Sequence, residues 1–403
     1  MHDLEELTTH CIRCGFCLED CPTFVETGNE LESPRGRIYL VRSAIEGKLA
    51  WKEDVKPHLD LCLGCRACET ACPSAVQYGA ILEIARDKID QTAVSLAKEA
   101  LLASTTNPTI LKAQLAMGKV IGGGKVPGFV SRLLSKQEPE AEMPTSQATP
   151  KFPALELDTP VKGEVYMLTG CAMRVLYPRV HECTKRLLRR VGYIVREVEQ
   201  GCCGALHAHN GDLEGAAKMA SALVEALEGD LPVIVDSAGC GSTMKEYGSL
   251  IGEAGTAFAK RTFDISEFLL TNGLADLLKD APGLDGKRVT YHDACHLSHG
   301  QKITASPRQL ISAIPNMEFA ELPESMMCCG SAGIYNILQP KMARQLLDRK
   351  VGHIQETEAD IVATGNPGCH AWIAQGCREQ KSATVLHTTE LLEAAFIGLE
   401  HFV

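Results

Sequence analysis

The chain has 403 residues, of which 45% are hydrophobic and 23% charged, and its formal net charge is −11. That length exceeds what one hydrophobic core usually supports, so two or three domains are expected. The acidic balance argues against nucleic acid as a partner, because phosphate binding requires a basic surface. The 18 cysteines predict metal or redox chemistry in a reducing compartment, where disulfides are rare.

The N-terminal segment, MHDLEELTTH, lacks the basic and apolar regions of a secretion signal. No stretch approaches the roughly 18 consecutive apolar residues that a membrane-spanning helix needs. The sequence therefore predicts a cytoplasmic protein. Peripheral association with the inner face of the cell membrane stays open.

Two cysteine runs with identical spacing lie near the N-terminus. They are "CIRCGFCLEDCP", with Cys11, Cys14, Cys17 and Cys21, and "CLGCRACETACP", with Cys62, Cys65, Cys68 and Cys72. This spacing, closed by proline, is the known bacterial ferredoxin run, in which the fourth cysteine ligates the other cluster. We therefore expect two [4Fe-4S] clusters, one held by Cys11, Cys14, Cys17 and Cys72, the other by Cys62, Cys65, Cys68 and Cys21. Zinc also accepts four cysteines, but the doubled pattern favours iron-sulfur chemistry.

A helix with readable ends separates the two runs. Ser33 is a suitable N-cap, the body reads PRGRIYLVRSAIE, and Gly47 follows the end. The N-terminal part is therefore interpreted as a helical two-cluster domain. The helix carries three arginines, Arg35, Arg37 and Arg42. They could lie near the clusters and raise the reduction potential, or form a solvated basic face.

The second half of the sequence repeats itself. "EVYMLTGC" matches "RVTYHDAC", "GCCG" matches "MCCG", "VIVDSAGC" matches "IVATGNPGC", and "DISEFLL" matches "HTTELLE". Two similar units of about 120 residues are therefore expected. A Pro-, Thr- and Ser-rich run before them indicates a linker. The predicted domains are a two-cluster domain at 1–102, a helical segment and linker at 103–162, and two Cys-Cys-Gly domains at 163–283 and 284–403.

Short apolar runs alternate with helical segments in each unit, for example "PRVHECTKRLLRRVG" and "PKMARQLLDRKVGHI". This alternation predicts parallel strands joined by helical crossovers. The expected fold class is therefore α/β with a mainly helical N-terminal part: an α-helical two-cluster ferredoxin domain followed by two repeated Rossmann-like units.

Each unit places four cysteines just after predicted strands, at the sheet edge where ligands collect. They are Cys171, Cys202, Cys203 and Cys240 in the first unit and Cys295, Cys328, Cys329 and Cys369 in the second. They indicate a metallocluster, a zinc ion or redox-active thiols. A purely structural role is disfavoured, because two Cys-Cys-Gly turns would then be a coincidence.

The other candidate residues receive simpler interpretations. Cys183 and Cys377 fall in helical stretches and are interpreted as buried thiols. Three histidines beside the cysteines could orient ligands or pass protons, and ordinary hydrogen bonding is the favoured interpretation: His292, His296 and His370. The glycines at 122–124 lack the strand, spacing and acidic residue of a dinucleotide fingerprint. No nucleotide or flavin is therefore assigned to this chain.

The paired cysteine runs, "PRGRIYL", "CCGSAG" and the two Cys-Cys-Gly units together resemble the iron-sulfur subunit of bacterial glycolate oxidase over nearly the whole chain. The resemblance implies that partner flavoprotein subunits oxidise glycolate to glyoxylate, and that this chain passes the electrons to an acceptor, expected to be quinone. The cluster subunit of anaerobic glycerol-3-phosphate dehydrogenase, heterodisulfide reductase and lactate utilisation proteins share parts of the pattern. A different 2-hydroxy acid or glycerol-3-phosphate as substrate, or a thiol-disulfide reductase, are therefore alternatives.

The chain departs from the heterodisulfide reductase relatives at the end of each unit. In those relatives each Cys-Cys-Gly domain ends in C-x-x-C, and five thiolates hold a non-cubane cluster. Here Thr243 follows Cys240, and Trp372 follows Cys369, at the position of the last cysteine. Four thiolates per unit remain. An ordinary cluster, a zinc ion and a vicinal dithiol all stay open.

Overall fold

The computed structural model describes residues 3–90, 96–121, 141–142, 145–148, 151–155 and 159–402. The glycines at 122–124 and parts of the predicted linker lie outside these residues. Within the described ranges, no helix is both long and apolar enough to cross a membrane.

The N-terminal part is helical. Its helices are α1 (Leu4–Thr9), α2 (Pro22–Thr27), α3 (Pro34–Ile45), α4 (Lys56–Asp60), α5 (Ala67–Thr70), α6 (Tyr78–Asp90), α7 (Leu96–Thr106) and α8 (Pro108–Ile121). A 3-10 turn at Glu30–Glu32 precedes α3, and a π-helical turn at Trp51–Val55 precedes α4. Helix α7 runs across the predicted boundary between residues 102 and 103, and the domain boundaries stay a prediction.

Helix α3 has the ends that its sequence predicts. The Ser33 hydroxyl accepts a hydrogen bond from the amide of Gly36 at 3.0 Å, which caps the first turn. Gly47 follows the last turn with a left-handed φ of 74°. The helix buries Val41 against Ile81 in the N-terminal core, which also includes cysteines of both runs. The predicted helix is therefore confirmed.

Two parallel four-stranded sheets follow. The first contains β1 (Gly163–Met167), β2 (Tyr193–Arg196), β3 (Val233–Val235) and β4 (Thr262–Asp264). The second contains β5 (Lys287–Tyr291), β6 (Met317–Ala320), β7 (Ile361–Thr364) and β8 (Thr384–His387). Their strand orders, β2-β1-β3-β4 and β6-β5-β7-β8, are the same. The predicted α/β fold and its internal repeat are confirmed.

Helices connect the strands of both sheets. The first unit contains α9 (Met173–Leu176), α10 (Pro178–Arg190), α11 (Ala205–His209), α12 (Leu213–Ala226), α13 (Ala238–Lys245), α14 (Tyr247–Ile251), α15 (Glu253–Lys260), α16 (Ile265–Thr271) and α17 (Leu274–Lys279). The second contains α18 (Ala305–Ser312), α19 (Tyr335–Leu338), α20 (Pro340–Glu356), α21 (Pro367–Gln380) and α22 (Thr388–Ile397), with a π-helical turn at His296–Gly300 and a 3-10 turn at Leu399–His401. Helices α10 and α20 are the two helical segments predicted above.

The repeat extends to the chemistry of helix starts. Asp264 and Glu267 form a capping box at the start of α16. His387 and Glu390 form the corresponding box at the start of α22. A capping box satisfies two backbone amides that the helix itself cannot pair. The matched segments "DISEFLL" and "HTTELLE" therefore begin equivalent helices for the same physical reason.

The two units pack directly against each other. The guanidinium groups of Arg186 and Arg190 both bind the buried carboxylate of Glu393, with nitrogen-oxygen distances of 2.7 and 2.9 Å. The amide of Ala238 donates to the carbonyl of Gly365 at 3.1 Å. A buried ion pair costs desolvation and holds only when its hydrogen bonds are satisfied, so it fixes one arrangement of the two surfaces. The carboxyl ends of β3 and β7 consequently meet.

Candidate iron-sulfur and thiol centres

The two N-terminal cysteine loops share one backbone shape despite different residues. Two positions in each loop are left-handed: Arg13 and Gly15 in the first, with φ of 60° and 91°, and Gly64 and Arg66 in the second, with φ of 65° each. Arginine adopts this conformation at a cost, so its presence indicates a turn that the surrounding structure enforces. The repeated spacing therefore produces a repeated loop.

The first quartet lines a small cavity below the N-terminal loop. Its walls include Cys11, Cys14 and Cys17 of the first run and Cys72 of the second, with Cys68 alongside. Cys14 is exposed, whereas the other three are partly covered. Thus the fourth cysteine of the second run lies with the first three of the first run. This is the grouping expected from the spacing, and the ligand assignment stays a prediction.

The second quartet is buried. Cys21, Cys62, Cys65 and Cys68 are all less than a tenth exposed, and the charges of Cys21 and Cys62 act on both Cys65 and Cys68. Burial raises the pKa of Cys65 and of Cys68, and the neighbouring thiols raise it further. Four buried thiols cannot all ionise together without a cation among them. The donor set and its burial therefore fit an iron-sulfur cluster.

Two of the three arginines of α3 lie beside the quartets. Arg37 is 1% exposed, pairs with the carboxylate of Glu32 at 2.9 Å, and its charge interacts with Cys62 and Cys21. Arg35 lies by the first loop, where it donates to the carbonyl of Arg13 at 3.3 Å. A third, Arg42, is exposed and pairs with Glu46. Helix α3 therefore places Arg35 beside the first quartet and Arg37 beside the second. Of its three arginines, only Arg42 lies on the solvated face.

The four cysteines of the first Cys-Cys-Gly unit come together in space. Cys171 and Cys202 lie with their sulfur atoms 3.4 Å apart, and Cys203 contacts both Cys202 and Cys240. Donation from the thiols of Cys171 and Cys203 lowers the pKa of Cys202 far below its usual value. A lowered thiol pKa favours the thiolate, which is the form of cysteine that binds metals.

The second unit repeats this arrangement. Cys328 contacts Cys295 and Cys329, and Cys329 contacts Cys369. Donation from Cys328 and Cys369 lowers the pKa of Cys329 well below its usual value. Here the lowered pKa falls on the second cysteine of the pair, whereas in the first unit it falls on the first cysteine. Both quartets predicted from the sequence thus converge.

Each Cys-Cys-Gly turn requires glycine at its third position because of its backbone conformation and the lack of space for a side chain. Gly204 has a φ of 81° and a Cβ there would lie 2.9 Å from the carbonyl oxygen of Ala216. Gly330 has a φ of 90° and a Cβ there would lie 2.6 Å from the carbonyl oxygen of Ala343. A side chain at either position would be strained and would collide with a helix backbone. The glycines let the paired cysteines approach α12 and α20.

Both quartets face one cavity of about 850 Å³ between the two units. Cysteines of all three parts line it: Cys62, Cys171, Cys202, Cys203, Cys240, Cys295, Cys328 and Cys369. It lies at the carboxyl ends of β1, β3, β5 and β7, the edge where parallel sheets of this kind bind ligands. Cys183 and Cys377 lie elsewhere, buried in α10 and α21, which confirms their interpretation as buried thiols.

The ring of His292 lies beside the sulfur of Cys329 and lowers the pKa of that thiol. Neither ring nitrogen of this buried histidine has an oxygen or nitrogen partner among the described residues. The sequence held one signal for it, because the repeat aligns His292 with Leu168, an apolar position of the other unit. A histidine at a position that the fold can fill with leucine needs a separate explanation.

The other two histidines, His296 and His370, each make one hydrogen bond to a backbone group. Backbone groups of Gly64 and Val385 pair with the rings of His296 and His370, respectively. The second nitrogen of His296 has no hydrogen-bond partner within the described ranges, and that of His370 lies 3.9 Å from a carboxylate oxygen of Glu390. His296 also stacks on His209, with ring centroids 4.7 Å apart. These rings are therefore held by packing as well as by a hydrogen bond.

Comparisons with known proteins match this architecture. A family model described as a 4Fe-4S dicluster domain matches residues 8–76, and one described as a cysteine-rich domain matches residues 165–245 and 289–374. The probable glycolate oxidase iron-sulfur subunit of Bacillus subtilis is 36% identical, over 96% of this chain and 94% of that protein. The glycolate oxidase iron-sulfur subunit of Escherichia coli is 32% identical, over 98% and 95%. The chain belongs to the family of glycolate oxidase iron-sulfur subunits.

A more distant relative also matches nearly the whole length of this chain. A dihydromethanophenazine:CoB--CoM heterodisulfide reductase protein of Methanosarcina barkeri is 25% identical over 96% of this chain and 94% of that protein. The glycolate oxidase family match confirms the resemblance inferred from the motifs, and with it an iron-sulfur protein of an oxidoreductase complex. The matched family models span all sixteen cysteines of the four quartets.

Proposed function

We propose that this chain is the electron-transfer subunit of a glycolate oxidase complex. It would receive electrons from flavoprotein subunits, which oxidise glycolate to glyoxylate, and pass them to an acceptor, expected to be quinone. The observation that carries this proposal is the order of the cysteine quartets. The first quartet reaches the surface at Cys14, Cys68 lies beside it, and Cys65 of the second quartet lies beside Cys295 of the cavity.

Each N-terminal quartet is proposed to hold one [4Fe-4S] cluster, and a bound cluster supplies the one-electron steps between a flavin and an acceptor. The chain's own residues tune these sites. The amide of Gly64 and the hydroxyl of Tyr78 donate to the sulfur of Cys62 at 3.4 and 3.5 Å. Such donors and the cation of Arg37 stabilise the more negative, reduced state. Both would raise the reduction potential of the second quartet's cluster.

The flavoprotein partner is proposed to dock at the first cysteine loop. Ile12 and Phe16 belong to this loop and are 66% and 69% exposed. Tyr39 of α3, 52% exposed, stands beside them under the guanidinium of Arg13. Exposed aromatic and apolar side chains around one exposed cysteine are typical of the core of a protein interface. Docking there would bring a flavin subunit close to the first quartet.

The acceptor is proposed to bind at the cavity between the two Cys-Cys-Gly units. Apolar side chains such as Leu115, Met173, Leu176 and Trp372 share its walls with the cysteines. An apolar pocket of this size suits a ring compound such as quinone.

We further propose that the protein is cytoplasmic and associates peripherally with the membrane. The two Cys-Cys-Gly domains are proposed to extend over 163–283 and 284–403. The starts of β1 at Gly163 and β5 at Lys287 support these limits.

The same cavity favours one other candidate function, a thiol-disulfide reductase. Seven of the eight quartet cysteines of the two units line it, and thiolates beside a source of electrons suit disulfide reduction. Two electrons delivered through the N-terminal part, with two protons, would convert a bound disulfide to two thiols. Reduction of a small disulfide by the chain, supplied with dithionite as electron donor, would favour this function. Its absence alongside quinone reduction by the complex favours the first proposal.

The decisive experiment separates cluster loss from partner chemistry. Cys14→Ser and Cys65→Ser in the reconstituted complex should abolish acceptor reduction, while rapid mixing with glycolate still bleaches the partner flavin. Cys183→Ala removes a buried thiol outside all four quartets and should retain turnover. Turnover that persists in Cys14→Ser and Cys65→Ser would contradict the proposal. So would anaerobically purified protein without iron, because two clusters require roughly eight iron atoms per chain.

A further inference from the structure

His292 occupies a place where a histidine is energetically costly. It follows β5 directly, is 0% exposed, and neither ring nitrogen has an oxygen or nitrogen partner in the described part of the chain. A buried polar group without a partner costs about 1–3 kcal/mol, and such a group in a native structure requires an explanation, for example a redox role or a bound water or ion. Its polar neighbour is the sulfur of Cys329, so the ring is placed to share a bound group with that thiol.

The neighbours of this ring are the sulfur atoms of the second quartet. One ring nitrogen of His292 and the sulfurs of Cys329 and Cys369 all lie within 4.8 Å of one another. Cys329 also contacts Cys328, which in turn contacts Cys295. One nitrogen and two sulfurs thus already surround a common point, and further sulfurs lie alongside. An imidazole with thiolates is a ligand set for zinc or for iron, not for magnesium or calcium, which prefer oxygen.

The first unit provides an internal comparison. Leu168 follows β1 as His292 follows β5. The amide of Leu168 donates to the carbonyl of Ile234 in β3 at 2.8 Å, and the amide of His292 donates to the carbonyl of Ala363 in β7 at 2.9 Å. The backbones are therefore equivalent, and only the side chains differ. Leucine fills the position where no nitrogen ligand is needed, so the fold itself does not require histidine there.

We propose that His292 is a nitrogen ligand of a metal centre in the second unit, shared with Cys329 and Cys369 and completed by Cys328 or Cys295. The first unit, with Leu168, would hold a purely thiolate site. The metal is a thiophilic transition metal, either zinc or the iron of a cluster. The inference rests on metal binding by the second unit's cysteines and is independent of the two clusters proposed for the N-terminal quartets, whose ligands are all sulfur.

The test uses the full chain, purified anaerobically and carrying 15N-labelled histidine. If the centre contains iron, pulsed electron paramagnetic resonance of the reduced protein should show 15N coupling to the cluster. Selective labelling matters because backbone amides near sulfur also give nitrogen signals. If the centre contains zinc, X-ray absorption should show a nitrogen ligand at about 2.0–2.1 Å besides sulfur at about 2.3 Å. Iron and zinc contents per chain decide between these two arms.

Three variants complete the test. His292→Leu, which installs the first unit's residue, should lose the nitrogen signal and the metal of this centre, while the roughly eight irons of the N-terminal quartets remain. His292→Cys should retain metal with sulfur ligands alone. His353→Leu, a histidine paired with Glu324 and Glu356 on α20, should change neither reading.

Each possible outcome either supports or contradicts the proposed role of His292. A histidine nitrogen signal in the wild type that disappears in His292→Leu or His292→Cys supports the inference, and the cysteine variant keeps the test valid if the leucine variant fails to fold. Only sulfur ligation in the wild type, no metal beyond the N-terminal clusters, or a nitrogen signal that persists without His292 would overturn it. Loss of the N-terminal irons would instead count against the proposed function, so the two failures are distinguishable.

Discussion

Cys65 and Cys295 lie beside each other in one buried core, although they belong to different domains and are far apart in the sequence. Cys65 belongs to the second N-terminal loop and Cys295 follows β5. The hydrogen bonds that hold these parts together include the Thr70 hydroxyl with the His299 ring at 2.8 Å and the Tyr335 hydroxyl to the carbonyl of Leu61 at 2.9 Å. The proposed relay therefore runs through one packed structure and does not depend on the docking of separate domains.

Arg37→Met is expected to destabilise the protein and lower the reduction potential of the second quartet's cluster. The substitution takes the guanidinium partner from buried Glu32, which keeps the His58 ring at 2.6 Å, so the cost stays below the about 3–5 kcal/mol of a fully unpaired buried charge. It also removes a cation close to Cys21 and Cys62, so the additional negative charge of the reduced state is less well compensated. Thermal unfolding and a redox titration followed by electron paramagnetic resonance measure the two effects.

Arg42→Met is the matched control, because it removes the same charge from the same helix at an exposed site. Its ion pair with Glu46 is solvated and contributes no more than about 0.5 kcal/mol. We expect an unchanged potential. Equal shifts in the two variants would mean that overall charge, not the buried position of Arg37, sets the potential.

Gly330→Ala is expected to damage the second cysteine quartet. Its left-handed backbone costs alanine about 1–3 kcal/mol, and the new methyl group would lie 2.6 Å from the carbonyl oxygen of Ala343. Relief of that collision requires movement of the turn that carries Cys328 and Cys329. Lower thermal stability and a lower metal content per chain should follow together.

Gly352→Ala tests whether the effect is specific to the turn. Gly352 lies within α20, and nothing lies within 4 Å of a Cβ there. Alanine at this site should stabilise the helix by up to about 1 kcal/mol. Unchanged stability and metal content in Gly330→Ala would show that the close contact relaxes without strain.

The features that local sequence controls could be predicted, and those that depend on tertiary packing could not. The caps of α3 follow from residues close together in the chain, Ser33 and Gly47, and the alternation of strands and helices follows from the repeated local patterns. The burial of Arg37 and the exposure of Arg42 depend on which face of α3 meets α4 and α6, which charge patterning does not reveal. Nor does the sequence show that both units open onto one cavity, because their packing depends on distant pairs such as Arg186 and Glu393.

Phe16→Ser is expected to slow electron delivery from the flavoprotein partner without altering the clusters. Phe16 is 69% exposed in the first cysteine loop, and aromatic residues at the centre of an interface often contribute about 2 kcal/mol or more, which is roughly thirtyfold in affinity. Binding of the partner and glycolate-dependent acceptor reduction should both weaken.

Leu277→Ser supplies the control for surface hydrophobicity. Leu277 is a large apolar residue of α17 with 40% exposure, remote from the cysteine loops in the sequence. Partner binding should stay as in the wild type, and the visible absorbance of both variants should stay unchanged. Equal binding by wild type and Phe16→Ser would place the docking surface elsewhere.

Asp264→Asn is expected to stabilise the protein at neutral pH and less so in acid. Burial raises the pKa of Asp264 from 3.8 to about 6, so the folded state holds this proton more tightly than the unfolded state. Stability is therefore lost as the pH rises from about 4 to about 6, and asparagine, an equally good N-cap, avoids this loss. The gain should approach about 3 kcal/mol at pH 7.5 and fall to roughly half at pH 5. Melting temperatures measured at both pH values, with exposed Asp276→Asn as control, test this prediction. A gain independent of pH would show that ionisation of Asp264 is not its cause.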